Sequence, residues 1–128
     1  MLNGCAAEDF VTTRLASRSA TVRFGHEAGH NYRPRCLRVS LGSRIRFEGP
    51  FDAHPLAPGR VEAGIPIDED TARGPVSEVL GGQSAEFVAA TPGRFGYYCD
   101  SHVVEGMMGA IEVVESVEVE SGEVRGAP

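Results

Sequence analysis

Cys99, His102, Met107 and Met108 fall together in the stretch G-Y-Y-C-D-S-H-V-V-E-G-M-M-G-A-I-E-V, Gly96 to Val113. Thiolate, imidazole and thioether make a soft donor set. Soft donors select copper, and a His₂Cys plane with a weak axial Met is the blue-copper arrangement. That set lacks one nitrogen, and His54 is the residue placed to supply it. It follows an apolar strand by a few positions and is flanked by Phe51, Pro55 and Leu56, so its ring can be buried and oriented. Met107 is preferred over Met108 as the axial donor, because neighbouring side chains on an extended segment point opposite ways. Zinc is disfavoured, since structural zinc sites are built from Cys and His without a thioether.

Such a loop needs a stiff frame, and the flanking pattern supplies one. Phe95, Tyr97 and Cys99 alternate with polar or small residues before the loop, and Ile111 and Val113 alternate after it. A period of two is the mark of a half-buried strand. The same period runs through Ala20, Val22 and Phe24, through Leu37, Val39 and Leu41, through Ile45 and Phe47, and through Ala85, Phe87 and Ala89. Gly42-Ser43 lies between two of these runs, which read as a hairpin. Gly25 to Pro34 reads as a loop, as does Gly49 to Gly59. From Arg60 to Gly82 the pattern weakens and admits a short helix or an irregular strand. Short strands spaced by turn residues indicate an all-β Greek-key β-sandwich of about seven to eight strands. The expected division is an N-terminal arm over 1–18, the sandwich over 19–114, and an acidic strand extension or tail over 115–128.

The chain has 128 residues and a net charge of −6, which suits one domain and argues against nucleic acid as a partner. No apolar run is long enough to span a membrane. All its basic residues are Arg. Eight of them, Arg14, Arg18, Arg23, Arg33, Arg35, Arg38, Arg44 and Arg46, lie between Val11 and Arg46, against Glu27 alone. They read as outward-facing strand positions or as a docking face for an acidic partner. Of three cysteines, Cys99 belongs to the soft site. Three readings stand for Cys5 and Cys36: a disulfide suited to an oxidising compartment, acylation of Cys5 as a lipid anchor within Leu2-Asn3-Gly4-Cys5, or two free thiols. His26 and His30 read as exposed loop histidines, with an adventitious metal site as the alternative. Asp68-Glu69-Asp70 reads as a solvated turn.

The spacing Cys-x₂-His-x₄-Met, with Y-x-C before it and G-M-x-G-x-I-x-V across its end, resembles the cupredoxins, and among them plastocyanin and pseudoazurin. F-x-x-H-P-L-x-P-G from Phe51 and Y-x-P-x-C-L-x-V from Tyr32 resemble bacterial secreted cupredoxin-like proteins. The resemblance covers roughly Ser19 to Val114. It implies one type 1 copper held by His54, Cys99, His102 and, axially, Met107. It also implies that the His102 edge is the electron exit, with Val103, Val104 and Met108 as an apolar collar for brief docking of a redox partner protein.

Two positions depart from the plastocyanin pattern. Pro55 stands where an Asn commonly offers its backbone N–H to the Cys sulfur, and proline has none. With one hydrogen bond fewer, more charge stays on sulfur, which favours Cu(II) and a lower reduction potential. Ser101 stands where a Pro is common, and is expected to loosen the loop. No Ser-His-Asp set, phosphate loop or paired-acid motif is present. The expectation is a monomeric, periplasmic or secreted electron carrier rather than an enzyme. A copper storage or delivery protein is the alternative. A fragment of a multicopper oxidase or nitrite reductase would need further His-rich motifs.

Overall fold

In the computed structural model, which describes residues 1–12, 18–25, 28–67 and 74–115, the alternating runs become strands that share one apolar interior. The first sheet is built from β1 (Val11–Thr12), β4 (Cys36–Ser40), β11 (Met108–Val114), β10 (Gly93–Cys99) and β6 (Leu56–Pro58), in that spatial order. The second is β3 (Gly29–Arg33), β2 (Ser19–Gly25), β5 (Arg44–Glu48) and β9 (Ser84–Val88), again in spatial order. A small hairpin of β7 (Arg60–Glu62) and β8 (Ile65–Ile67) stands apart from both. The protein is all-β, a sandwich of mixed sheets.

Val22 and Phe24 from β2, Ile45 and Phe47 from β5, Leu37 and Val39 from β4, and Tyr97, Ile111 and Val113 all lie in one buried cluster. Each large side chain so buried stabilises the fold by roughly 1.5–3 kcal/mol. Tyr97 is the hub. Its ring meets Tyr32 edge-on at 4.8 Å and Phe47 at 5.1 Å, within the range where such aromatic pairs attract. The Tyr97 hydroxyl donates to the Arg35 carbonyl at 3.1 Å. Burial pushes the Tyr97 phenol far up from its ordinary value.

Several expectations are corrected. Gly42-Ser43 does not close a hairpin. β4 lies parallel to β11 in the first sheet, whereas β5 lies parallel to β2 in the second. The turn is a crossing between sheets. Gly42 has φ 90° and donates to the Ala89 carbonyl, while Leu41 donates to the Val114 carbonyl, so each arm of the turn bonds to a different partner. Part of the expected loop at Gly25 to Pro34 is β3, because Tyr32 points inward and registers against Phe24. The weak region after Arg60 opens with a hairpin rather than a helix. Ala63 and Gly64 carry φ values of 54° and 78°, the left-handed pair that a two-residue strand turn requires. With these short strands included, the count exceeds seven to eight.

The N-terminal segment is built into the sandwich. Val11 and Thr12 pair with Leu37 and Arg38. Asn3 is buried, and its amide nitrogen donates to the carbonyls of Gly59, Tyr97 and Gly109 at 3.0, 3.1 and 3.0 Å. Its oxygen accepts from the Val61 N–H at 2.7 Å. Cys5 and Cys36 form a disulfide with Cα atoms 5.7 Å apart. A lipid thioether on Cys5 and this bond exclude each other, since one sulfur cannot carry both. Among the described residues no helix is long and apolar enough to cross a membrane. Arg14, His26, the Asp68-Glu69-Asp70 turn and the tail beyond Glu115 lie outside the described residues.

Candidate metal centre

Two loops at one end of the sandwich carry the predicted donors. The first turns between β5 and β6. His54 N–H donates back to the Pro50 and Phe51 carbonyls at 3.1 and 3.2 Å, which makes a tight turn. Phe51 anchors it, fully buried with its ring 4.9 Å from that of Phe24. Gly49 is needed at the loop's start, because a Cβ there would strike the Phe24 carbonyl. His54 is thereby buried at the rim of the core.

The second loop leaves β10 at Cys99 and re-enters β11 at Met108. It bonds to itself. Cys99 N–H donates to the Met107 carbonyl at 2.9 Å, His102 N–H to Cys99 at 3.2 Å, and Met107 N–H to His102 at 3.3 Å. A single 3-10 turn at Val103–Glu105 ends on Gly106 at φ 95°, a left-handed position suited to glycine. Two bonds tie the loops together: Asp100 N–H donates to the Pro55 carbonyl at 3.0 Å, and the Ser101 hydroxyl to Ala53 at 3.1 Å. Ser101 therefore fastens the loop instead of loosening it.

The outcome is a small triangle of donors. Cys99 Sγ lies 3.8 Å from His54 Nδ1 and 3.5 Å from His102 Nδ1, and the two nitrogens are 3.2 Å apart. A point equidistant from all three lies about 2.0 Å from each, the length of a metal–imidazole bond and slightly under that of a metal–thiolate bond. The residues thus fit a soft metal ion both in chemistry and in spacing. Met107 is fully buried beside them in the core cluster. Met108 faces away, its terminal methyl close to where a side chain on Gly4 would sit. The sulfur has a further neighbour in the Ser101 hydroxyl, 3.5 Å away. Beneath the centre, Tyr32 is buried with no partner for its hydroxyl among the described residues. Its phenol is pushed far up, first by burial and then by its neighbours Cys99 and Tyr97.

His30, read from the sequence as an exposed loop histidine or part of an adventitious metal site, lies beside the centre itself. It joins His54 and His102 in a group whose ligand atoms lie within 4.8 Å of one another. Its ring lies over His102, centroids 4.0 Å apart with 31° between planes, and its Nδ1 is 2.7 Å from Glu105 Oε1. With its Nδ1 engaged by Glu105, His30 has only its other ring nitrogen to offer, and it is absent from the 3.2 to 3.8 Å triangle. His54, Cys99 and His102 form the convergent set, and His30 lies on top of it. No spacing rule marks His30, which reaches the centre only because β3 forms.

Solved structures supply the comparison. A Sinorhizobium pseudoazurin superposes with a TM-score of 0.54 at 23% identity, over 80% of this chain and 79% of that one. A pseudoazurin from Methylobacterium extorquens gives 0.51 at 19%, over 80% and 81%. The fold is that of the cupredoxins. A copper-containing nitrite reductase from Thermus scotoductus also matches, with a TM-score of 0.55 at 19% identity, over 86% of this chain but only 29% of its own length. No family model and no curated relative matches the chain.

Within this cupredoxin-like frame the expected collar is redrawn. Val103 is buried and Met108 faces Gly4. Val104 is 76% exposed, and the tip of the β7–β8 hairpin adjoins it, with Ile65 62% exposed. The arginines spread over the outer faces. Arg38 and Arg94 both bind Glu112, at 2.6 and 2.9 Å. Glu48 binds both Arg23 and Arg46, at 3.3 and 2.6 Å, and these line an open cleft with Arg33.

Proposed function

We propose that this protein is a single-electron carrier with one type 1 copper, held by His54, Cys99 and His102 with Met107 as the axial donor. The observation that carries the reading is the triangle of one sulfur and two Nδ1 atoms, 3.2 to 3.8 Å on its edges. Copper bound there supplies a Cu(I)/Cu(II) couple, and a trigonal His₂Cys plane with a distant thioether suits both oxidation states. The chain's own part is to keep that plane from rearranging. The Asp100–Pro55 and Ser101–Ala53 bonds hold the two loops in register. The aromatic floor of Phe24, Phe51, Tyr32 and Tyr97 keeps water from below.

Exposed Val104 and Ile65 give a redox partner protein a small apolar patch for brief docking at the His102 side, with the protein acting as a monomer. The Cys5–Cys36 bond favours an oxidising compartment, periplasmic or extracellular. Adding Cu(II) to the purified protein and recording optical and EPR spectra tests the reading. An intense thiolate-to-copper band with reversible voltammetry is expected. Absence of that band overturns it, and a colourless protein that surrenders Cu(I) readily to a chelator points instead to copper storage or delivery.

A further inference from the structure

We infer that His30 is a positioning residue for the metal centre: held by Glu105, its ring packs against that of His102, tilted by 31° with centroids 4.0 Å apart, and restricts the rotation of that ring. The inference rests on the copper reading above and adds to it a residue outside the donor set.

A metal-bound histidine ordinarily has its second ring nitrogen pinned by a carboxylate, a carbonyl or water, which sets the ring's orientation. His102 makes its contacts through Nδ1, to His54, Cys99 and Ser101. Among the described residues nothing hydrogen-bonds its other nitrogen. The ring is held by its face instead. His30 covers it with centroids 4.0 Å apart, and meets His54 edge-on at 5.4 Å.

The covering ring is itself fixed at both ends. Its backbone belongs to β3, registered on β2 through Phe24 and Tyr32. Its Nδ1 meets Glu105 at 2.7 Å, a bond spanning 75 residues. Glu105 sits in the ligand loop, its N–H donating to the His102 carbonyl at 3.0 Å. The Glu105–His30 pair thus clasps the edge of the second sheet to the loop that carries three of the donors. Both side chains are about half exposed, 50% and 54%, so the pair adds little to global stability. Its effect falls on the orientation and solvent exposure of one ligand ring.

The test compares His30→Ala, His30→Phe and Glu105→Ala with the parent. In competition against a chelator, His30→Ala should bind Cu(II) about tenfold more weakly, the lower end of what losing a residue that orients a ligand costs. Its thiolate band should persist with altered intensity or EPR splitting, while the melting temperature stays near the parent's. His30→Phe keeps a flat ring over His102 and should recover most of the affinity. Glu105→Ala should fall between. Equal affinity and an unchanged spectrum in His30→Ala overturn the inference while leaving the copper reading intact. A parent without the thiolate band defeats the copper reading instead. The metal-free protein then still decides the clasp by NMR: contacts between the His30 and His102 rings support it, and their absence in a folded parent overturns it.

Discussion

Replacing Ser101 by Ala removes the hydroxyl 3.5 Å from Cys99 Sγ and 3.4 Å from His102 Nδ1 and leaves every proposed donor residue in place. The sign of the effect follows from where charge sits. A hydrogen bond to the thiolate withdraws density from sulfur, and density on sulfur favours Cu(II), so losing the bond should lower the reduction potential. The size follows from the geometry. A hydrogen bond to a charged group contributes about 1.5–3 kcal/mol at good geometry. Here the contact is long, and the hydroxyl's single proton is shared with the Ala53 carbonyl, to which it donates at 3.1 Å, so only a fraction of that energy reaches the sulfur. Taking the difference between oxidation states as about 0.5–1 kcal/mol, and 59 mV per tenfold for one electron, gives a fall of about 20–40 mV. Protein-film voltammetry measures it, with Ser101→Thr as the variant that keeps a hydroxyl and should stay near the parent. Pro55→Asn is the opposite arm: it supplies the backbone N–H that proline lacks, and should raise the potential if that N–H reaches the sulfur as it does in the plastocyanin pattern. A potential in Ser101→Ala that rises or stays within about 10 mV of the parent, with the thiolate band intact, refutes the reasoning. An unchanged or lowered potential in Pro55→Asn refutes its half.

Met107→Leu should change the visible spectrum or the potential far more than Met108→Leu, and the reverse order would make Met108 the axial donor. Asn3→Ala removes two amide protons shared among three buried carbonyls and the acceptor of the Val61 N–H, and should lower stability by about 3 kcal/mol, near 1 for each proton, measured by urea titration. Cys5→Ser with Cys36→Ser opens a link of sequence separation 31 and should cost about 3.5 kcal/mol while the donor triangle, to which neither cysteine contributes, still takes up metal. Partial burial pushes the Glu112 carboxyl up, but hydrogen bonds from Arg38 and Arg94 outweigh it and hold the group below its ordinary value. That stabilisation is present above the unfolded value, near pH 4.3, and is lost as pH falls through the lowered folded value. The stability gap between the parent and Glu112→Gln should therefore be full at pH 7 and close below about pH 4.

The grouping of Cys99 with His102 was legible in the sequence because it is local. Cys99, His102 and Met107 share one turn, and the strands on either side announce themselves by alternation. His54 was legible by subtraction, since a soft set short of a nitrogen asks for one. What stayed hidden depends on contacts between distant residues. Asn3 bonds to carbonyls 94 and 106 positions away, and nothing in an Asn near a chain start signals that. His30 looked like a loop residue until β3 formed around an inward Tyr32 and carried it over the centre. The Gly42-Ser43 turn has the composition of a hairpin, yet its flanking strands pair elsewhere, because β4 finds β11 and β5 finds β2.

Position 55 shows how local and distant constraints divide the work of tuning sulfur. The sequence revealed that Pro55 has no N–H to offer, which is a local fact about one residue. It did not reveal that the Pro55 carbonyl accepts from Asp100 at 3.0 Å, so the same residue still binds the two loops. Nor did it reveal that Ser101, which stood as a weakness in the loop, reaches both Ala53 and the sulfur. The donor lost from the backbone at one loop has a counterpart in a side chain of the other. A backbone donor is fixed by the fold, whereas the Ser101 hydroxyl also fastens its own loop to Ala53. A change at Ser101 therefore acts on the sulfur and on the join between the two loops together, which is why Ser101→Thr, with the hydroxyl kept, is the variant that separates the two effects.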